Sequence, residues 1–470
     1  MSVTSEAAPR ILPVGAADRR RILVAGDVAV LGAVTLVALR LGAVRSGWEW
    51  SSRLVAEQGL WLLILVLGWM GLAWAGGLYD RRRAPDPALS LVLSAKVSAQ
   101  LLVIWALVYF LPPPWTLVRH VVVFFALGAA VVMPIWRLGY ARVFSSDALR
   151  RRIIVVGAGV AGRHALEAAR AAPHEFEVLG FVDDDPELRA AVVDGAPVLG
   201  DSVALVGIAQ ARGATDVILA ITRNVNSAAF AALMDARERG LAVTPMTVFY
   251  EDVTGRVPVE HIGDQWAVSL PMDPPESRGL YRGLKRGLDV ALAAVGAAVL
   301  GVLLIGLAPL MIVDAGRPVF YRQTRSGRGG ESFTLLKLRT MRTDAEDDGP
   351  RWSEPLDARV TRMGKWLRRL GVDELPQCLN ILAGDMSLVG PRPERPEFVR
   401  RLADVVPFYR ARHAVRPGLT GWAAINQGYV NTEDAALVRL QYDLYYIKHQ
   451  SLLLDLYVLL RTLSTVLRRR

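Results

Sequence analysis

"VALAAVGAAVLGVLLIGLAPLMIV", residues 290–313, carries no charge and is long enough to cross a bilayer, yet cations stand on both sides of it. Lys285 and Arg286 precede the run, and Arg317, Arg322 and Arg325 follow it. Basic flanks stay on the cytoplasmic side of a membrane, and one straight helix cannot keep both of its ends there. A helix that enters, breaks and returns can do so. Pro309 sits inside the run, where a proline removes a backbone hydrogen bond and kinks the helix. The reading is a re-entrant hairpin over 285–316. Its rival, a fifth full span, puts everything downstream outside the cell, away from nucleotide-activated substrates.

Four further apolar runs open the chain: Ile22 to Leu39, Leu60 to Leu78, Val97 to Leu111 and Val121 to Trp136. They read as a four-helix transmembrane bundle over 1–145. Arginines crowd its edges at Arg19 to Arg21, at Arg81 to Arg83, and after the fourth run at Arg137, Arg142 and Arg150 to Arg152. Both ends of the bundle are therefore expected in the cytoplasm. Asp27 lies inside the first run and is expected to pair with a neighbouring helix or to reach the interface. The first twenty residues hold several charges and no apolar core, so no cleavable signal peptide is expected.

Composition agrees with a membrane protein. Of 470 residues, 52% are hydrophobic, and the mean hydropathy is +0.30, too apolar for a soluble protein of this size. The net charge of +10 sits at the borders of apolar runs rather than interleaved with aromatics, which suits a membrane surface or phosphate-bearing ligands and not nucleic acid. The single cysteine, Cys378, excludes an intrachain disulfide and reads as a small buried hydrophobe.

From residue 150 to 250 the texture changes. "IIVVGAGVAGRHALEAAR" (153–170) reads as strand, turn and helix, with Gly157, Gly159 and Gly162 in G-x-G-x-x-G spacing. "VLGFVDDD" (178–185) ends a second strand at Asp183, where such folds carry a ribose-binding carboxylate. A Rossmann-like αβ domain follows. Its glycines serve either a nucleotide or close packing of strand on helix. Residues 251–280 read as a linker, and 281–470 as an α+β catalytic domain.

Within that last stretch, "ESFTLLKLRTM" (331–341) alternates like a strand and sets Lys337 and Arg339 on one face, a pair suited to a diphosphate. Gly327, Gly329 and Gly330 upstream would allow close backbone approach to a ligand. "TRMGKWLRRL" (361–370) puts Met363, Trp366, Leu367 and Leu370 on one helical stripe beside Lys365, Arg368 and Arg369, as on a helix lying at a membrane surface or docked on a core. Asp373 and Glu374 come next. Adjacent helical residues point about 100° apart, so these carboxylates have different jobs; capping by Asp373, with Pro376 in the first turn, is the plainer alternative. Proline-stiffened loops carry Arg392 and Arg395 (387–398) and Arg416 (415–426). Fixed cations around carboxylates suit a metal-bound phosphate substrate.

The motifs "KRGLD" (285–289), "KLRTM" (337–341), "DELPQ" (373–377), "GDMSLVGPRP" (384–393) and "RPGLTGW" (416–422) stand in the order of one family. From Lys285 onward the chain resembles the bacterial sugar transferases known as polyprenyl-phosphate hexose-1-phosphate transferases, the monotopic phosphoglycosyl transferase superfamily. The upstream regions are similar to its larger members. "YEDVTGRVP" (250–258) and "YDLYYIKHQSLLLDL" (442–456) look most like an exopolysaccharide branch.

That resemblance implies transfer of hexose 1-phosphate from a UDP-hexose to undecaprenyl phosphate, with release of UMP, at the cytoplasmic face of the bacterial inner membrane. It implies that Asp373 is a nucleophile forming a covalent phosphosugar, that Glu374 assists as base or metal partner, and that Mg²⁺ binds the diphosphate between them. Lys337, Arg339 and Arg392 would hold phosphate oxygens. The αβ domain would sense a nucleotide or serve a homodimer. Departures from the pattern are Gly371 and Val372 for Ser-Leu, Leu338 for an aromatic, Ala308 for serine and Ala424 for glutamine. A rival reading, a membrane-anchored nucleotide-sugar dehydratase or epimerase, draws on Tyr281-x-x-x-Lys285, but it leaves the five motifs without a role.

Overall fold

A computed structural model describes residues 16–80, 84, 86–108, 119–144, 149–221, 225–261, 279–342, 345, 357–427 and 432–468. Two compact units result, Met1–Thr254 and Gly255–Arg470.

The first unit opens with helices α1 (Ala16–Ser46), α2 (Ser52–Gly76), α3 (Pro87–Val108) and α4 (Arg119–Phe144). Each is longer than its apolar run because polar flanks prolong it. Helix α3, for example, starts at Pro87, a residue preorganised for a first turn, and the Asp86 carboxylate accepts the Leu89 N–H. Leu31, Leu65, Trp69, Val97, Phe125 and Met133, drawn from all four helices, share one apolar core. Asp27 is fully buried and takes Tyr79 Oη at 2.6 Å, Trp136 Nε1 at 2.9 Å, and both Nε and Nη2 of Arg137, so the expected pairing with a neighbouring helix is realised. Leu111 and Arg81 to Arg83 lie outside the described residues.

The αβ part follows as β1 (Arg151–Val156), α5 (Val160–Arg170), β2 (Phe176–Val182), β3 (Val192–Val193), β4 (Ala196–Gly200), α6 (Leu205–Arg212), β5 (Asp216–Leu219), α7 (Ser227–Glu238), β6 (Ala242–Pro245) and α8 (Met246–Thr254). The sheet order is β3-β4-β2-β1-β5-β6, parallel except for the β3–β4 pair. Strand β1 is apolar from Ile153 to Val156 because both faces are covered there: Ile153 and Val155 enter one core, Ile154 and Val156 the other.

The expected linker at 251–280 begins later than its composition suggests. Tyr250 and Val253 of α8 are buried in the αβ core, while Val257 and Val259 are buried in the core of the second unit. Residues 262–278 lie outside the described residues.

In the second unit, α9 (Gly279–Ala315) is helical throughout, with Pro309 inside it. Then come β7 (Phe320–Ser326), β8 (Ser332–Leu338), α10 (Arg362–Leu370), α11 (Gln377–Ala383), β9 (Ser387–Val389), α12 (Pro396–Val405), β10 (Gly418–Thr420), α13 (Trp422–Asn426), α14 (Glu433–Lys448) and α15 (Leu452–Arg468). Strands β7 and β8 form an antiparallel hairpin, and β9 pairs in parallel with β10. Among the described residues five helices, α1 to α4 and α9, are long and apolar enough to cross a membrane.

Candidate active site

Helix α10 stops at Gly371, which adopts the left-handed conformation (φ 70°) that residues with a Cβ avoid. A 3₁₀ turn, Val372–Glu374, follows, and α11 then starts at Gln377 without a side-chain cap. Asp373 therefore caps nothing. In a 3₁₀ turn consecutive side chains diverge by about 120°, which separates the two carboxylates.

Glu374 faces the cations. Its Oε1 accepts Lys337 Nζ at 2.9 Å and Arg392 Nη2 at 2.6 Å. Asp373, only 8% exposed, accepts no hydrogen bond from any described residue. The electrostatics follow from this arrangement. Burial pushes the Asp373 carboxyl above its ordinary value and the Glu374 charge adds to that, against a lowering pull from Lys337, Arg368 and Arg392. Burial acts on Glu374 in the same sense, but Arg392 and Lys337 outweigh it and hold that carboxyl well below the usual carboxylate range. Burial lowers the Lys337 ammonium, with Glu374 opposing. The site thus contains one acid locked in its charged form and one that accepts no hydrogen bond from the described residues.

The surrounding residues fix each cation. The Asn380 side-chain amide bonds the edge of β8 as a strand would, taking Leu336 N–H at 3.0 Å and donating to Thr334 C=O at 2.7 Å, which holds Lys337 in register. Three successive carbonyls of the Arg392 loop are tied down: Arg412 donates to that of Arg392 (3.0 Å), Arg325 to Pro393 (3.2 Å) and the Ser326 amide to Glu394 (2.9 Å). Arg412 is itself buried against Asp443 at 2.7 Å. The charged residues of "KRGLD" brace the far side. Lys285 donates to the Val389 carbonyl and to Asp455, Arg286 to the carbonyls of Ile381 and Leu382, and Asp289 accepts the Leu388 N–H. Tyr281 also donates to Asp455, so the Tyr281/Lys285 pair anchors α9 to α15 and is spent on packing.

Other expectations fare differently. Arg339 lies just beyond β8, half-buried, and makes no bond to the dyad; Arg416 is exposed. Gly329 and Gly330 (φ 68° and 84°) make the turn of the β7–β8 hairpin, whereas Lys337 pairs with Tyr321 near the ladder's opposite end, so these glycines close a turn rather than line the site. Cys378 is buried, as expected, and burial raises its thiol. In the αβ part, a Cβ on Gly162 would fall 2.0 Å from the Gly157 carbonyl oxygen, a packing need, while Gly159 faces open space. Asp183 is engaged by the Ala158 amide at 2.6 Å and by that of Asp185 at 3.0 Å.

The sequence placed Arg368 on a helix lying at a membrane surface or docked on a core and gave it no part in the site, yet it lies in the field of Asp373, steadied by Thr340 Oγ1 at 2.9 Å. Its position three residues before a helix-stopping glycine that leads into the dyad was the available signal. Arg412 and Asp443, distant in sequence and flanked by ordinary helical residues, gave none.

Among the described residues no three His, Cys, Asp or Glu side chains gather into a protein-only metal cage. Asp373 and the second oxygen of Glu374 offer one or two carboxylates. That donor set fits Mg²⁺, which keeps waters and takes its remaining ligands from substrate phosphates.

Residues 280–469 match the family model described as bacterial sugar transferase, and residues 75–233 match the CoA-binding domain model. The chain is 39% identical over 217 residues to the UDP-N-acetylgalactosamine-undecaprenyl-phosphate N-acetylgalactosaminephosphotransferase of Aeromonas hydrophila, covering 46% of this chain and 50% of that protein. It is 43% identical over 187 residues to the UDP-glucose:undecaprenyl-phosphate glucose-1-phosphate transferase of Caulobacter vibrioides, covering 39% and 69%. To the exopolysaccharide production protein PSS of Rhizobium leguminosarum bv. phaseoli it is 38% identical, covering 40% and 96%. The matched stretch thus spans half the length of the Aeromonas relative and nearly all of the Rhizobium one.

Proposed function

The chain belongs to the bacterial sugar transferase family, and from that premise we propose that it transfers hexose 1-phosphate from a UDP-hexose to undecaprenyl phosphate, releasing UMP. The observation that carries the mechanism is the asymmetry of the dyad. Asp373 is a buried carboxylate that accepts no hydrogen bond from the described residues, beside cations that Glu374 holds in place. An Asp373 oxygen attacks the sugar-bearing phosphorus of the donor, and the P–O bond to UMP breaks with its electron pair leaving on UMP. A phosphate oxygen of the lipid then attacks the same phosphorus and Asp373 departs as a carboxylate. Lys337, Arg392 and Arg368 stabilise charge on the transferring group. Mg²⁺ held by Asp373 and Glu374 would neutralise the diphosphate when bound.

The chain works at the cytoplasmic face of the bacterial inner membrane, starting an exopolysaccharide or capsule glycan, with α9 entering the bilayer and returning near Pro309. What supports the return is that both sides of Pro309 are fastened to one polar stretch. Arg286 bonds the carbonyls of Ile381 and Leu382, and Asp314 accepts the Met363 amide. A straight helix from 286 to 314 would run about 42 Å, more than the roughly 30 Å of hydrocarbon. The stretch 363–382 carries Lys365, Arg368, Arg369, Asp373 and Glu374 and spans nothing. With Cys378 replaced by serine, single cysteines at Arg282 and Arg317 should both label from the cytoplasmic side; labelling from opposite sides would mean a full span.

The reaction is tested by supplying the membrane-embedded protein with Mg²⁺, undecaprenyl phosphate and a panel of UDP-hexoses. UMP from one donor, absent with Asp373→Asn, is expected. UDP instead of UMP would signify glycosyl transfer and refute the proposal.

A further inference from the structure

Residues 255–261 belong to the core of the second unit although they precede the membrane helix. Val257 and Val259 are buried among Leu440 and Leu444, and the Val257 amide bonds the Gln441 carbonyl at 3.1 Å. The Arg256 guanidinium lies over the Tyr442 ring, 5.8 Å from its centre. Gly255, held at φ +65°, accepts the Trp422 indole N–H at 2.8 Å, and a Cβ there would come within 3.0 Å of the indole ring. Trp422 stacks on Tyr445 with ring centres 5.4 Å apart. A half-buried indole whose N–H reaches a backbone carbonyl is held in both position and rotation.

Trp422 directly follows the segment 418–421, which is pressed backbone to backbone on Gly390. A Cβ on Gly418 would fall 2.1 Å from the Gly390 amide nitrogen, and one on Gly421 would fall 2.2 Å from its carbonyl oxygen. The Gly390 N–H bonds Thr420 C=O at 2.9 Å, and the Gly418 N–H bonds Pro391 C=O at 2.8 Å. Arg392 is the next residue, and its guanidinium meets Glu374. With no side chains between the two backbones, a displacement of Trp422 passes to the Arg392 loop with nothing to absorb it.

We propose that residues 255–261 form a positioning strap that, through Trp422 and the β9–β10 contact, sets Arg392 against Glu374. The transfer site is then completed by chain from both sides of the membrane helix. This rests on the transfer reading above, because its readout is UMP release.

The test is a double-mutant cycle on the full-length protein in membranes, pairing Trp422→Phe with Arg392→Lys. Trp422→Phe keeps an aromatic ring but removes the indole N–H, and it should lower kcat about two- to tenfold, the equivalent of one lost hydrogen bond, with Tm and the KM for undecaprenyl phosphate unchanged. In the Arg392→Lys background the same change should cost less than about twofold, because the strap acts through Arg392. An unchanged kcat, or a full additive loss in that background, overturns the strap. If Trp422→Phe lowers Tm by more than about 3 °C, Gly255→Ala repeats the cycle with the indole intact and must give the same non-additivity. An unmodified chain that releases no UMP sinks the transfer reading itself, which is distinguishable from a strap that has no effect.

Discussion

Asp27 and Asp373 are both aspartates buried among arginines, but among the described residues only Asp27 finds hydrogen-bond donors. Asp27 accepts four hydrogen bonds, from Tyr79, Trp136 and twice from Arg137, which also donates to the Leu78 carbonyl. Asp373 accepts none from the described residues, while its neighbour Glu374 takes Lys337 and Arg392 on one oxygen. A saturated buried acid holds helices together. One left open beside cations has lone pairs free for a phosphorus or a metal, and its cost to the fold is tolerated for that reason.

The contrast predicts opposite consequences for the same substitution. Asp373→Asn should abolish UMP release, by about 10³-fold or more, without harming the fold. The sign of its stability effect follows from its raised carboxyl. The folded state binds that proton more tightly than the unfolded state, so ionised Asp373 destabilises the protein once pH exceeds the folded pKa. Asn removes this, and thermal unfolding at neutral pH should shift upward, on the order of 0.5–2 kcal/mol. Asp27→Asn should do the reverse, leaving Arg137 buried without its counter-charge at a cost of about 3–5 kcal/mol, with kcat per folded molecule kept. A stable Asp27 variant or an unstable Asp373 variant would break the comparison.

Next in size is Arg368→Gln, expected to lower kcat by about 10- to 100-fold while leaving yield unchanged, since its side chain is only partly buried and it lies in the field of Asp373. The pH profile sharpens the same point. An ionised Asp373 is required, so kcat/KM should rise with pH through a limb above the ordinary aspartate value. Glu374→Gln should move that limb to lower pH, because the Glu374 charge is one of the causes raising Asp373. A limb that moves up or stays fixed would contradict the assigned asymmetry.

The smallest effect separates two glycines of the αβ part. Gly162→Ala must displace the Gly157 carbonyl and should cost stability measurable by thermal unfolding, whereas Gly159→Ala faces open space and should not. If the loop also cradles a nucleotide, as the G-x-G-x-x-G spacing suggests, Gly159→Trp should weaken nucleotide binding to the full-length protein; unchanged binding leaves the glycines a packing role only.

Much of this was legible in the sequence because it is local. Apolar runs, the glycine-led strand and helix, and the acidic pair all announce themselves within twenty residues. Pairing of Asp27 was expected from the cost of a charge in hydrocarbon, though its partner Arg137, more than a hundred residues away, was not named. The site was half legible. Lys337, Asp373, Glu374 and Arg392 come together, but period-two reasoning kept Arg339 with them, and β8 ends one residue too soon. Arg368 was hidden because its helix has a strong apolar stripe that suggests a membrane surface. The tertiary supports Asn380, Arg412, Asp443 and Trp422 have no local pattern. Residues 251–261 looked like linker by composition, yet Val257 and Val259 are core.

The most direct test of the dyad's asymmetry is to incubate the protein with its UDP-hexose and Mg²⁺ but no lipid acceptor, quench it, and map any added mass by peptide sequencing. The account predicts one hexose phosphate attached to Asp373 and none to Glu374, discharged when undecaprenyl phosphate is added. An adduct on Glu374, or UMP released with no adduct while transfer still proceeds, would contradict it.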